Sequence, residues 1–195
     1  MIAVVLNGGK SVRFGTDKCS YILESKPMVE HTIDTLKDLF DEIVLVGKPY
    51  RDFYFIKDEL CVGPVGGVLT ALKRLQRDIF VVGCDMPYIQ PAVVNFMREI
   101  FERSKADVVL ASLADGLHPL HAFYSTSMIE HLTWSIEYAN ASFRASFERA
   151  NVIYLTEESF SHIPNWQKSF INLNTQHDLE VLKVNDDDGP HLEDR

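Results

Sequence analysis

The chain has 195 residues, 46% hydrophobic and 24% charged, the proportions of a globular protein long enough for one sizeable core. A formal net charge of −9 at pH 7 argues against a nucleic-acid surface, which needs a basic stripe. No run approaches the ~20 apolar residues of a membrane span, and the first apolar stretch meets Gly-Gly too soon for a secretory leader, so a soluble, cytoplasmic protein is expected.

The first strand is expected over residues 2–6. Pro27 opens a helical pattern with Ile33, Leu36 and Phe40 on one face. EIVLVG (42–47) reads as a buried strand, FYFIKD (53–58) as a short extended piece and GGVLTALKRL (66–75) as a helix. DIFVVGCDMPYI (78–89) reads as a strand running into a polar turn. A helix over 91–103 would bury Val93, Met97, Ile100 and Phe101, and ADVVLAS (106–112) is another strand. This cycle of apolar run, turn and helix is the pattern of a parallel sheet with right-handed crossovers. The rhythm then changes. PLHAFYS (119–125) alternates like a strand, 125–134 and 142–149 read as helices, and 152–155 as a strand. SFINLNT (169–175) is expected to be a last strand, leading to a helix capped by Thr175 with Asp178 three residues on. The expectation is a single α/β domain of three layers (αβα) over residues 1–184, followed by an acidic, disordered tail over 185–195. Cys19, Cys61 and Cys84 are odd in number and lack CxxC spacing, so three reduced thiols are expected, with neither a disulfide framework nor a zinc site. The aromatic groups at 53–55 and 123–124 read as core.

The chemistry begins in NGGKSVRFGTDK (7–18). A loop that only turns needs one glycine and no clustered positive charge. Gly8 and Gly9 would let backbone N–H groups approach an anion, while Arg13 and Lys18 would neutralise phosphate oxygens. The stretch is neither a Walker loop nor a GxGxxG fingerprint, and a solvated loop is the plainer alternative. Asp85 follows a buried strand and precedes Met86-Pro87, which places its carboxylate at the sheet's carboxyl end, where it can bridge Mg²⁺ to phosphates. A turn-forming Asp is the alternative there. Asp58, five residues before Gly63, can pair with N1–H and the 2-amino group of guanine; otherwise it is a surface carboxylate beside Lys57. Gly63, Gly66 and Gly67 would allow close approach to a flat base. Asn172 and Asn174, two apart on a strand, would face the same side. His118 and His121, three apart on a strand, would point to opposite faces and share no metal without a bend, though His118 can still line a substrate cleft.

Together these stretches resemble the molybdenum cofactor guanylyltransferases. LNGGKSVRFGTDK (6–18) resembles that family's LAGGxSxRMGxDK, and GPVGGVLTAL (63–72) its GPLxGxxxAL. VVGCDMPYIQP (81–91) resembles xxxCDxPxxxP, HPLHAFYS (118–125) contains PLxAxY, and FINLNTQHDL (170–179) resembles xxNxNTxxDL. The match covers residues 2–182. Asn7 replaces the usual alanine, Phe14 the usual methionine, and Val46 stands where some relatives carry an asparagine near the base. The resemblance implies a Rossmann-like, mostly parallel sheet of the nucleotide-diphospho-sugar transferase type. It implies transfer of GMP from Mg²⁺-bound GTP to the terminal phosphate of molybdopterin cofactor, with a companion GTPase as a further partner. Leu6, Asn7, Gly8, Gly9, Lys18, Asp58, Gly63, Gly67 and Asp85 would then bind nucleotide. Lys18, Arg13 and Asp85 would be catalytic, Asp85 would hold the metal, and Asn172, Asn174 and His118 would meet the acceptor. A cytidylyltransferase of the same cofactor, a sugar-phosphate nucleotidyltransferase and a non-catalytic nucleotide-binding protein are the alternatives.

Overall fold

The computed structural model describes residues 1–8 and 18–173, with Lys18 described by its backbone alone. In chain order, β1 (Ile2–Asn7) precedes a 3-10 turn (Lys18–Ser20), the arms β2 (Ile22–Leu23) and β3 (Lys26–Pro27) of a small antiparallel pair, and α1 (Met28–Lys37). Next come β4 (Ile43–Gly47), β5 (Phe55–Ile56), α2 (Pro64–Leu75), β6 (Ile79–Gly83) and α3 (Pro91–Arg103). The remainder is β7 (Val108–Leu113), β8 (Gly116–Tyr124), α4 (Met128–Tyr138), α5 (Phe143–Phe147), β9 (Val152–Leu155), α6 (Glu157–Phe160) and a second 3-10 turn (Trp166–Phe170).

Among the described residues, seven strands form one sheet in the order β5-β4-β1-β6-β8-β7-β9. β5, β4, β1 and β6 are parallel, and β9 is parallel to β7. β8 runs antiparallel between β6 and β7. The sheet is therefore mostly parallel and covered on both faces, which is why all six residues of β1 are buried, the polar Asn7 at its end included. Alternation along β1 divides the core in two. Ala3 and Val5 join Val29, Ile33 and Leu36 of α1 and Val93 and Met97 of α3. Ile2, Val4 and Leu6 join Val68, Leu69 and Leu72 of α2 and Met128 and Leu132 of α4. The helices begin where their sequences say. Proline occupies the first turn of both α2 and α3, where a missing N–H costs nothing. Ser142 caps α5 by accepting from Ala145 N–H.

Three expectations are corrected. Residues 169–173 are not a strand: the second 3-10 turn runs through Phe170, whose ring packs on Phe160 and Trp166, and Leu173 N–H bonds Asp85 C=O (3.0 Å) instead of a ladder partner. Tyr54 and Phe55 are 64% and 42% exposed, because β5 is a two-residue edge strand with little sheet to cover them. Phe123 and Tyr124 are core as expected. α4 begins and ends later than the sequence pattern suggests, since residues 125–127 form a turn. The helix expected after Thr175 and the acidic tail lie outside the described residues.

Candidate active site

The carboxyl ends of β4, β1 and β6 lie side by side: Asn7 is in register with Gly47, and Leu6 with Gly83. Asn7 is 4% exposed; its Nδ2 donates to Lys48 C=O (2.9 Å) while its own C=O accepts from Lys48 N–H (2.8 Å). The amide thus points along the sheet edge and staples β1 to the chain leaving β4. Gly47 is required beside it. Its φ is +115°, and a Cβ there would lie 2.8 Å from Asn7 O. Asn7→Ala is expected to cost about 1 kcal/mol through the lost bond. Calorimetry should show a slightly lower Tm, while nucleotide titration shows affinity unchanged within about twofold.

Asp58 sits half-buried just past β5, where its Oδ1 accepts from Leu60 N–H (3.1 Å), Cys61 N–H (3.4 Å) and the Thr70 hydroxyl (3.3 Å). Thr70 belongs to the buried face of α2, so a rigid helix holds this carboxylate from below. The glycines divide their work. Gly66 faces the Asp58 loop, where a Cβ would lie 2.9 Å from Val62 Cγ2 and 3.7 Å from Asp58 Oδ1. Gly63, with φ +81°, has open space around it. Gly67 is turned to the sheet, where a Cβ would lie 3.2 Å from Leu6 Cδ2, so its role visible here is to seat α2 on β1. Val46 is buried beneath the same contact and presents no polar group.

Past the end of β6, Cys84 N–H donates to Leu6 C=O (3.2 Å), and Asp85 C=O accepts from Leu173 N–H (3.0 Å). A Cβ on Gly83 would run into Asp85 Oδ1, so the glycine makes room for a carboxylate folded over the strand end. Among the described residues no three His, Cys, Asp or Glu side chains converge on a metal position. One hard oxygen donor suits Mg²⁺, which keeps several waters and takes phosphate oxygens for its other positions.

The expectation of three reduced thiols is corrected. Cys19 and Cys84 form a disulfide with Cα atoms 5.5 Å apart, within the range such bridges span. Cys61 is an exposed, unbridged thiol. Sequence spacing missed the bridge because its partners are 65 residues apart and meet only when the turn after residue 17 reaches the end of β6.

The histidines are also corrected. His118 and His121 both lie against the Phe170 ring, at centroid distances of 5.1 and 4.8 Å. The bend that permits this is a register shift in the β7–β8 ladder, where Leu110 pairs with Ala122 but Ser112 with Leu117. His118 Nε2 bonds Asp115 Oδ1 (2.9 Å). His121 is fully buried, with Nε2 3.0 Å from Ser169 Oγ, which in turn accepts from Gln90 N–H (3.0 Å). Burial lowers the His121 pKa from 6.5 to about 3. The unfolded chain therefore takes up a proton here that the folded chain refuses, and this contribution to stability is lost as pH falls below about 6.5. His121→Gln is expected to flatten the fall in Tm between pH 7 and pH 4 measured by calorimetry; an unchanged slope would contradict this.

The fold thus brings Leu6, Asn7, Gly8, Asp58, Gly63 and Asp85 to one edge of the sheet, with His118 and Asn172 on its Asp85 side. Gly9, Arg13 and Asn174 lie outside the described residues, and the Lys18 backbone opens the first 3-10 turn. Residues 3–151 match the model of the MobA-like NTP transferase domain. The chain belongs to the MobA-like NTP transferases. It is therefore a nucleotidyltransferase by family, with the nucleotide-diphospho-sugar transferase fold. Among the relatives of this MobA-like transferase, a probable molybdenum cofactor guanylyltransferase of Thermococcus kodakarensis is 37% identical over 192 residues, 93% of this chain and 94% of the relative. The molybdenum cofactor guanylyltransferase of Syntrophotalea carbinolica is 32% identical, covering 91% of this chain and 88% of the relative. The crystal structure of molybdopterin-guanine dinucleotide biosynthesis protein A from Archaeoglobus fulgidus superposes with a TM-score of 0.84 at 26% identity, over 97% of this chain and 100% of that one. Thr70, Gly83 and the Ser169–His121 pair were not singled out by sequence; only the placement of Gly83 and Thr70 within two of the matched stretches hinted at them.

Proposed function

We propose that this MobA-like transferase moves GMP from Mg²⁺-bound GTP to the terminal phosphate of molybdopterin cofactor and releases pyrophosphate. The observation that carries the reading is the strand order β5-β4-β1-β6, which sets Asp58 and Asp85 on opposite flanks of β1. β5, which leads to Asp58, and β6, which leads to Asp85, are three strand spacings apart, about 14 Å. A nucleotide laid across the end of β1 spans that gap, with its base on the Asp58 flank and its phosphates on the Asp85 flank. The relatives' names supply the guanine and the acceptor.

In this reading the backbone of Leu6, Asn7, Gly8 and Gly9 lines the nucleotide, and Arg13 and Lys18 neutralise its triphosphate. Asp58 accepts from guanine, chiefly through Oδ2, with Gly63 leaving space for the ring. Asp85 would hold Mg²⁺, whose chemistry is to screen charge between the α-phosphate and the incoming phosphate. Asn172 and His118 meet the acceptor on the far flank, where the Leu173 N–H bond ties the segment of Asn172 to Asp85, and Asn174 is assigned to the acceptor with them. An acceptor phosphate oxygen attacks the α-phosphorus, the bond to the α–β bridging oxygen breaks, and pyrophosphate leaves with the electron pair. No protein nucleophile is needed, so catalysis is positioning plus charge neutralisation. We place this activity in the cytoplasm, in one domain over residues 1–184, with a companion GTPase as a partner.

Pyrophosphate release, measured with each NTP and with or without purified molybdenum cofactor, tests the proposal. Release is expected only with GTP, Mg²⁺ and cofactor together. A preference for CTP would favour the cytidylyltransferase reading, and no release with any NTP a binding protein. Asp58→Ala is expected to narrow the GTP-to-ATP selectivity by about tenfold, because unpaired base donors cost ~1–3 kcal/mol. Magnesium dependence should be unchanged. A constant ratio would mean the base is read elsewhere, by backbone around Gly47 and Gly63.

A further inference from the structure

We infer that Ser169 and His121 are positioning residues for the acceptor, acting through one buried hydroxyl that holds the segment of Asn172 on the turn of Asp85. The inference rests on the guanylyl-transfer reading but concerns residues that reading does not use. Ser169 is fully buried in the second 3-10 turn. Its Oγ accepts from Gln90 N–H (3.0 Å), 79 residues away along the chain, and lies 3.0 Å from His121 Nε2, 48 residues away. Larger elements fix both partners. Gln90 is the N-cap residue of α3, where its C=O accepts from Val93 and Val94 N–H (3.0 and 3.2 Å). His121 is paired with Val82 of β6 inside the sheet. Ser169 is therefore clamped between a helix start and a central strand. Further on, Leu173 N–H bonds Asp85 C=O (3.0 Å), so both ends of 169–173 are tied to the turn that runs from β6 into α3. Asn172 lies inside that span, and His118 meets the Phe170 ring from β8 at 5.1 Å.

The protons in this joint can be placed by counting. His121 Nδ1 is buried and has no hydrogen-bond partner among the described residues. If the ring carried its proton on Nε2, both Nδ1 and the Ser169 O–H would be left unpaired. With the proton on Nδ1, that N–H alone is unpaired, and the hydroxyl donates to Nε2. Leaving one buried polar group unsatisfied costs less than leaving two, so the chain runs from Gln90 N–H to Ser169 Oγ–H to His121 Nε2. Burial lowers the His121 pKa to about 3, which keeps the ring neutral and able to accept near pH 7. Apolar packing does not do the same work. Phe170 rests on Phe160, Trp166 and both histidines, and such contacts are non-directional and survive a small slide. Hydrogen bonds weaken steeply with misalignment, so the joint sets the angle at which the segment of Asn172 faces Asp85. Groups already held in place lose less freedom when the acceptor arrives, which appears as affinity. They hold the acceptor alike before and during transfer, so the effect falls on its KM.

Initial rates of pyrophosphate release by the full-length protein test this, with GTP and molybdenum cofactor each varied while the other is saturating. Ser169→Ala should raise KM for the cofactor by about fivefold to tenfold, the weight of a lost hydrogen bond in a buried joint. KM for GTP and kcat should stay within about twofold. His121→Leu should show the same cofactor defect. His121→Gln, whose side-chain oxygen can accept from the Ser169 hydroxyl, should recover most of the wild-type KM. Ser169→Ala combined with His121→Leu should be no worse than either alone, because both remove one joint. Ser135→Ala serves as the control: it deletes another fully buried hydroxyl, which donates to Ser142 C=O (2.7 Å) on the α4 side. It should lower Tm comparably and move neither KM. A merely structural joint would make Ser169→Ala behave like this control. That result would overturn the inference alone, as would an equal rise in KM for GTP, additive effects in the double variant, or a His121→Gln as impaired as His121→Leu. If Ser169→Ala does not fold by circular dichroism, the two His121 variants decide the question. No pyrophosphate release by the wild-type protein with GTP and cofactor would overturn it together with the functional reading.

Discussion

Asp85→Asn is expected to lower turnover by ~10²-fold or more while GTP affinity falls much less, the order of effect of losing one preorganised electrostatic contact. The amide has the shape of the carboxylate, so the space above Gly83 stays filled and the Leu173 N–H bond to the Asp85 carbonyl is a backbone bond the change leaves alone. What disappears is the full negative charge that, in the proposed reading, would hold a divalent cation. The loss is felt when two phosphates of like charge must approach, not when GTP first binds. Pyrophosphate release as a function of Mg²⁺ concentration, with circular dichroism to confirm folding, makes the measurement. Metal-dependent turnover near the wild-type rate would refute the mechanism and favour a binding protein.

Lys18→Ala should lower turnover by about 10²–10³-fold and weaken GTP binding as well: in the proposed reading its ammonium meets the triphosphate in the bound state and is felt more strongly in the reacting state, as charge builds on the departing pyrophosphate. Lys18 opens the turn that continues into bridged Cys19, so its backbone is anchored independently of its side chain and the variant should fold. Lys18→Arg is expected to recover only part of the rate, because the bulkier guanidinium keeps the charge but binds phosphate through a rigid, directional fork and cannot take the position of a compact, freely rotating ammonium. Wild-type affinity and rate in Lys18→Ala would remove the loop from the mechanism.

The elements most legible in the sequence were those with a start signal and an uninterrupted apolar pattern. β1 needed only its apolar run, α3 its proline and the spacing of Val93, Met97 and Phe101, and β4 its isolated hydrophobic block. Alternation misled at residues 169–173, where a donor that looked available for a ladder is engaged by Asp85 C=O. It misled again at His118 and His121, because a register shift depends on the partner strand and leaves no mark in period-two spacing. The division of labour between Gly66 and Gly67 was out of reach for a related reason: adjacent helical glycines face different neighbours, and only the packing says which. The Cys19–Cys84 bridge is the extreme case, a property of topology with no local signature at either end.

The antiparallel β8 between β6 and β7 also sets an order of assembly. β7 and β8 are joined by the two residues between Leu113 and Gly116, so their hairpin closes with little loss of chain freedom, on a timescale of about 1–10 μs. Pairing β1 with β6 instead requires Leu6 to find Gly83 across most of the first half of the chain, a contact that low-entropy closure cannot hasten. The hairpin is thus ready as a template before the parallel half is complete, and the edge that carries Asn7, Cys84 and Asp85 matures late. Nucleotide added to a refolding chain can accelerate nothing that precedes the docking of β1; it can only trap the product of that step.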